Sequence, residues 1–373
     1  MSVLTVYDCG TAFDENSTDI IAVTAKNTQG VRGKDWIINA GVGSDAAMKQ
    51  KIAPPTFGGV AKAAIQEAVL GPVVGGFAAS PVGQKYIAQG AGVGLNDATV
   101  ATLAAVARVK PTKVNFFGWS RGSISSIRTV NELAKAAPSV RCNLFLHDPV
   151  IGDPLLNQAL YNNASTAGLG KNVDELVVIQ QMDASDFIFQ SHSVFGAQTN
   201  AAKQSRVLPM PGPHSGSVCL EDPKYVMAYM ICKGLAEDFL TRNGTQLKKV
   251  MAVQDRRYLE WYSDLWLTLV GKKVGYMPES GLISNRAEAT GFENNLVVRV
   301  FFNQHHIDLL GAVAPKTTLA LLNALMTRLR PHEQLLQAAA EEQKTTLPGL
   351  LPKTRTFVEH VSIWMRIFGT RRT

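Results

Sequence analysis

The chain has 373 residues, of which 46% are hydrophobic and only 18% charged. That excludes a disordered or coiled-coil chain and suits one large α/β domain with a smaller appendage. The 37 Lys and Arg exceed the 30 Asp and Glu, for a net charge of +7; this favours an anionic surface such as phospholipid, while the lack of a dense basic block argues against nucleic acid.

Residues 3–7 are apolar and β-branched and run into Asp8-Cys9-Gly10-Thr11, which predicts a buried strand ending in a polar loop. Residues 36–39 predict a second strand, followed by Gly41-Val42-Gly43-Ser44. After a Gly- and Ala-rich stretch, Asp97 is positioned to cap a helix over 98–109. A strand at 113–117 leads through Gly118-Trp119-Ser120-Arg121-Gly122 into a helix reaching about 137. Strands follow at 141–146, 175–181 and 205–210, with a helix over 154–161. Alternating strands and helices predict an α/β fold with a mostly parallel sheet.

Beyond Cys219 the texture changes. Long helices are predicted over 225–242 and 247–270, the second with an aromatic stripe of Tyr258, Trp261, Tyr262 and Trp266. A strand at 296–302 and helices at 319–344 and 358–368 follow, with 271–291 as a linker or long loop. The best boundary, 219–225, divides a core over 1–220 from a mainly helical cap or appendage over 221–373.

Several classes fall away. Cys9, Cys142, Cys219 and Cys232 have no C-x-x-C spacing, so no zinc ribbon, redox pair or disulfide scaffold is expected. The adjacent His305 and His306 would point to opposite faces of a strand and make a poor metal pair. The Gly-rich segments at 41–43 and 90–94 are not a full G-x-G-x-x-G, and no Walker lysine is present. No metal and no other cofactor is expected. The most apolar run, 68–80, is broken by Gly71, Pro72, Gly75 and Gly76 and is shorter than the roughly 20 residues a membrane span needs. The start, MSVLTVYDCG, has no signal-peptide pattern, which predicts synthesis in the cytoplasm.

The most informative segment is KVNFFGWSRG at 113–122: an apolar strand, G-x-S-x-G, then a helix. In such an elbow, small residues at 118 and 122 let neighbouring backbone pass close, and the Ser120 hydroxyl stands above the sheet. A serine nucleophile needs a histidine base and an orienting acid. His214, in the loop after the last strand of the parallel region, is the leading base; His147 and His192 are rivals. Asp183, at the end of the strand before that of His214, is the favoured acid; Asp148, one strand earlier, is the alternative, and Asp186 is a third choice. The oxyanion hole would take one N–H from Arg121 and another from the 8–11 loop, with Gly10 and Thr11 the candidates. The plain alternative for Gly10 is a tight turn needing positive φ. Cys9 reads as a small core residue.

Five motifs occur in order: DCGT at 8–11, GVGS at 41–44, GAGVGLND at 90–97, GWSRGS at 118–123 and PGPHSGSV at 211–218. Together they resemble the α/β-hydrolase family that includes the Tle-type phospholipase effectors of bacterial type VI secretion, over roughly residues 3–220. The chain departs from that pattern in the inserted Cys9 and in Ser215-Gly216-Ser217-Val218, where the family has an Asp and a glycine run. The resemblance implies Ser120 as nucleophile and His214 as triad base, and it supports Asp183. It implies a phospholipase A-type serine esterase, antibacterial or host-directed, meeting a phospholipid membrane through its helical region and the 58–80 segment. An immunity or secretion-apparatus protein would be its protein partner, and delivery would be into a target cell. Two alternatives stay open: an esterase for a small or sugar ester, and a catalytically silent hydrolase fold used as a binding module.

Overall fold

The computed structural model describes residues 2–42, 44, 95–150, 169–181, 204–220 and 223–269. The expected elements at 154–161, 296–302, 319–344 and 358–368, the 68–80 run and the 271–291 linker lie outside these residues, as do Asp183, Asp186, His192, His305 and His306.

Six strands form one all-parallel sheet: β1 (Val3–Asp8), β2 (Trp36–Asn39), β3 (Lys113–Trp119), β4 (Arg141–His147), β5 (Val173–Gln181) and β6 (Gln204–Met210). Their spatial order is β2-β1-β3-β4-β5-β6. The order therefore reverses between β1 and β3, whose C-terminal ends lie side by side with Asp8 opposite Gly118. In open parallel sheets this switch point is where the connecting loops diverge and leave a crevice.

Strand side chains alternate between two cores, as period-2 geometry requires. Leu4, Val6, Phe116, Leu144, Leu176 and Val178 face one way, towards α2 (Leu95–Val109) and α3 (Arg121–Ala136). Tyr7, Phe117, Phe145, Val177 and Ile179 face the other, towards α1 (Ile20–Lys26), α4 (Val226–Arg242) and α5 (Asp255–Leu269). Apolar runs without a polar face are what a sheet covered on both sides demands. Phe117, Phe145 and Phe239 join sheet to helix at ring separations of 5.2 and 5.5 Å. The boundary expected at 220/221 thus precedes two helices that share a hydrophobic core with the sheet.

Three elements differ from expectation. Helix α1 was not read from the sequence; Asp19 caps it, Oδ1 accepting from the Ile21 and Ala22 N–H groups at 2.8 and 3.2 Å. The helix expected from 247 begins at Asp255. Residues before it instead pair with the loop after α1, through a Thr28–Leu247 bridge and a Lys248 N–H to Asn27 carbonyl bond of 2.7 Å. Asp97 lies inside the first turn of α2, which starts at Leu95, and so does not cap it. Among the described residues, no helix is long and apolar enough to cross a membrane.

Candidate active site

Strand β3 ends at Trp119, and α3 starts at Arg121. Ser120 alone makes the turn, with φ 56° and ψ −126°. A serine rarely adopts such a backbone, and strain of this kind costs on the order of 1–3 kcal/mol and clusters at functional sites. Packing around the two glycines enforces it. A Cβ on Gly122 would lie 2.1 Å from the Asp8 carbonyl oxygen, and one on Gly118 would lie 2.8 Å from the Ser123 backbone. Helix α3 can lie so close to β1 at Gly122, and to β3 at Gly118, only because both positions lack a side chain. The Ser120 N–H donates to the His147 carbonyl at 2.9 Å, which ties the elbow to the end of β4.

Asp148 directly follows β4 and sits in the left-handed region, φ 40°. Its N–H donates to the Ile179 carbonyl at 2.7 Å, and its Oδ1 accepts from the Gln181 N–H at 3.0 Å. Its Oδ2 lies 2.6 Å from His214 Nδ1. A carboxylate can only accept, so Nδ1 carries the proton and Nε2 is the nitrogen available to take one. Both residues are buried, and the His214 ring lies 5.6 Å from that of Trp119, the neighbour of Ser120. The structure therefore brings the alternative acid, Asp148, onto His214, while the favoured Asp183 lies outside the described residues.

A second buried cluster fastens the His214 loop. His147 Nε2 lies 2.7 Å from Ser217 Oγ. With its amide oriented to satisfy both ends, Gln181 accepts from His147 and Ser217 and donates to the Met210 and Gly212 carbonyls, each at 3.1 Å. Burial pushes the His147 pKa down to about 3, so this imidazole stays neutral. His147, a rival base in the sequence, is thus engaged with Ser217. Nothing in the sequence marked Ser217 beyond its place in the PGPHSGSV loop.

The loop after β1 closes the other side. Gly10 is not in the left-handed region; a Cβ there would meet the Trp119 ring at 2.4 Å, so close approach, not positive φ, requires glycine. Thr11 Oγ1 accepts from Arg121 Nη1 at 2.9 Å. Asp8 points towards α3, where Ser126 Oγ donates to it at 2.5 Å, and Asn39 Nδ2, at the end of β2, donates to it at 2.7 Å. Burial pushes the Asp8 pKa up to about 6 against those hydrogen bonds. Cys9 is buried and its thiol is held well above its usual pKa, chiefly by that burial, so it stays protonated.

Trp119 Nε1, Ser120 Oγ and Arg121 Nε are buried polar atoms without a hydrogen-bond partner among the described residues. Folded proteins leave few such atoms, and three in consecutive residues single out this position. The arrangement can support acyl transfer: a strained serine at a switch point, a helix N-terminus behind it, and a histidine oriented by a buried carboxylate. Among the described residues no group of three or more His, Cys, Asp or Glu is arranged to hold a metal ion. Compared with known proteins, the chain matches no family profile and no curated protein.

Proposed function

We propose that the chain is a serine esterase that cleaves acyl esters of glycerophospholipids, built on an α/β-hydrolase core, with Ser120, His214 and Asp148 as its triad. The observation that carries the reading is the strained backbone of Ser120, φ 56° and ψ −126°, beside a His214–Asp148 pair at 2.6 Å. His214 Nε2 would take the Ser120 proton as Oγ attacks the ester carbonyl carbon. The tetrahedral oxyanion would be held by the Arg121 N–H and an N–H of the Gly10–Thr11 loop. His214 would then protonate the leaving glycerol oxygen, freeing lysolipid. Water, deprotonated by the same nitrogen, would attack the acyl-enzyme and release the fatty acid.

The phospholipid part rests on the ordered motifs of residues 3–220 and on the +7 charge, which suits an anionic membrane surface. An antibacterial or host-directed effector role, with a secretion-apparatus or immunity partner, belongs to the same reading. The test is hydrolysis of phosphatidylglycerol vesicles by wild type and Ser120→Ala, scored for free fatty acid and lysolipid. A loss of about 10³-fold or more is expected. Equal activity would remove Ser120 from the mechanism. Failure of a fluorophosphonate probe to label Ser120, with no hydrolysis of any ester, would leave the binding-module reading.

A further inference from the structure

Arg121 is the first residue of α3, and the residue is only 3% exposed. Its Nη1 donates to Thr11 Oγ1 at 2.9 Å, so the guanidinium reaches across the switch point to the loop after β1. That partner is a neutral hydroxyl. Nε is buried with no hydrogen-bond partner, and among the described residues no carboxylate pairs with Arg121. Two less buried arginines of this chain are treated differently: Arg141 pairs with Asp174, and Arg242 with Glu175. Burial pulls the Arg121 pKa down to about 10, which still leaves it charged at neutral pH.

A buried charge without a counter-charge is costly and is retained only where something compensates it. Holding Thr11 in place does not require a charge, since a glutamine could donate to the same hydroxyl. A guanidinium instead offers a planar fork of donors that matches phosphate oxygens, and it is more weakly hydrated than an ammonium. In a glycerophospholipid the phosphate is two carbons from the nearer ester oxygen, so a group beside Ser120 could reach it as the ester is attacked.

We infer that the Arg121 guanidinium is an anion-binding group of the Ser120 site and takes the phosphate of an ester substrate. The inference rests on the reading of Ser120 as an esterase nucleophile. It makes Arg121 a specificity residue through its side chain, in addition to any role of its backbone N–H.

The test combines binding and kinetics. Calorimetry would measure sn-glycerol 3-phosphate, inorganic phosphate and glycerol on wild type, Arg121→Gln and Arg121→Lys. Kinetics would compare kcat/KM on monomeric short-chain phosphatidylglycerol with that on a diacylglycerol of the same acyl chains. Glycerol phosphate should bind wild type and glycerol should not. In Arg121→Gln, binding and the phospholipid-to-diacylglycerol ratio should each fall about tenfold or more, with Arg121→Lys between. An unchanged ratio would overturn the substrate assignment. Inorganic phosphate binding as tightly as glycerol phosphate, with that ratio unchanged, would mean a free-anion site. No binding of either phosphate to wild type would overturn the anion site, and that arm needs no variant to fold. Binding that weakens in Arg121→Gln, in a protein inactive on every ester, would support the anion site while refuting the esterase.

Discussion

His147 Nε2 and Ser217 Oγ, 70 residues apart in sequence, meet at 2.7 Å in the interior. Ser217 belongs to the same turn as His214, and Gln181 holds that turn from the end of β5 through the Met210 and Gly212 carbonyls. His214 is therefore positioned by a buried network that shares Gln181 with Asp148: the Gln181 amide holds the turn, and its backbone N–H holds Asp148 Oδ1. Ser217→Ala would leave His147 and Gln181 short of a partner, at a cost of roughly 1–3 kcal/mol. For a domain of this size that is several degrees in Tm. A shifted His214 should also lower kcat about tenfold with little change in KM. Denaturant titration and ester kinetics on the same samples check both. Lost stability with unchanged kcat would make the network structural only.

Asp148 and Asp183 divide the acid question between them. Asp148 holds His214 Nδ1 at 2.6 Å and is itself held by the Gln181 N–H at 3.0 Å. Replacing it with Asn puts a donor where only an acceptor serves, which favours the wrong imidazole tautomer. Asp148→Asn should lower kcat by about 10³–10⁴-fold. Its effect should exceed that of Asp183→Asn by at least about 30-fold, measured on one soluble ester. The opposite order would assign the acid to Asp183.

The sequence carried the elbow well because local chemistry determines it: an apolar strand, two small residues and a helix leave few other conformations. It carried the strand ends for the same reason, since short apolar runs stop at Asp8, His147 and Met210. It could not choose the acid. Asp148 and Asp183 both follow strand ends, and the choice depends on how the 211–218 turn folds back over the sheet, a contact spanning 66 residues. Helix α1 was illegible for another reason. It has only seven residues, IIAVTAK, too few to display helical periodicity, and its one signal is the Asp19 cap. The segment before α5 read as helix because its apolar residues fit the period, but its backbone is committed to Asn27 and Thr28.

Asp8 predicts a pH dependence of stability. Its ordinary value of 3.8 is pushed up to about 6 by burial, despite donors from Asn39 and Ser126. The folded state thus binds the proton more tightly than the unfolded chain does. The stability this contributes is present in full below about pH 4 and is lost as pH rises through 6, a change of roughly 3 kcal/mol. Asp8→Asn cannot titrate. The stability difference, wild type minus variant, should therefore fall between pH 4 and 7 and level off above. A difference independent of pH would show that Asp8 ionises freely in the fold.

Gly122 tests whether close approach of α3 to β1 creates the elbow. A methyl group there would lie 2.1 Å from the Asp8 carbonyl oxygen and 2.6 Å from the Cys9 carbonyl oxygen. Both are backbone atoms at the C-terminal end of β1 and cannot swing aside. Gly122→Ala must lift the start of α3, and with it Ser120, Arg121 and the N–H proposed for the oxyanion. Gly234 is the matched control. A methyl group there would meet the Tyr258 hydroxyl at 2.0 Å, but that is the far end of a side chain between α4 and α5. Each variant should lose about 1–3 kcal/mol of stability from overpacking. Only Gly122→Ala should also lose about 10²-fold in kcat, because displacement of a nucleophile by about 1 Å is enough for that. Equal kcat losses in the two variants would mean that activity follows global stability, and the tight crossing of α3 over β1 would then have no specific part in presenting Ser120.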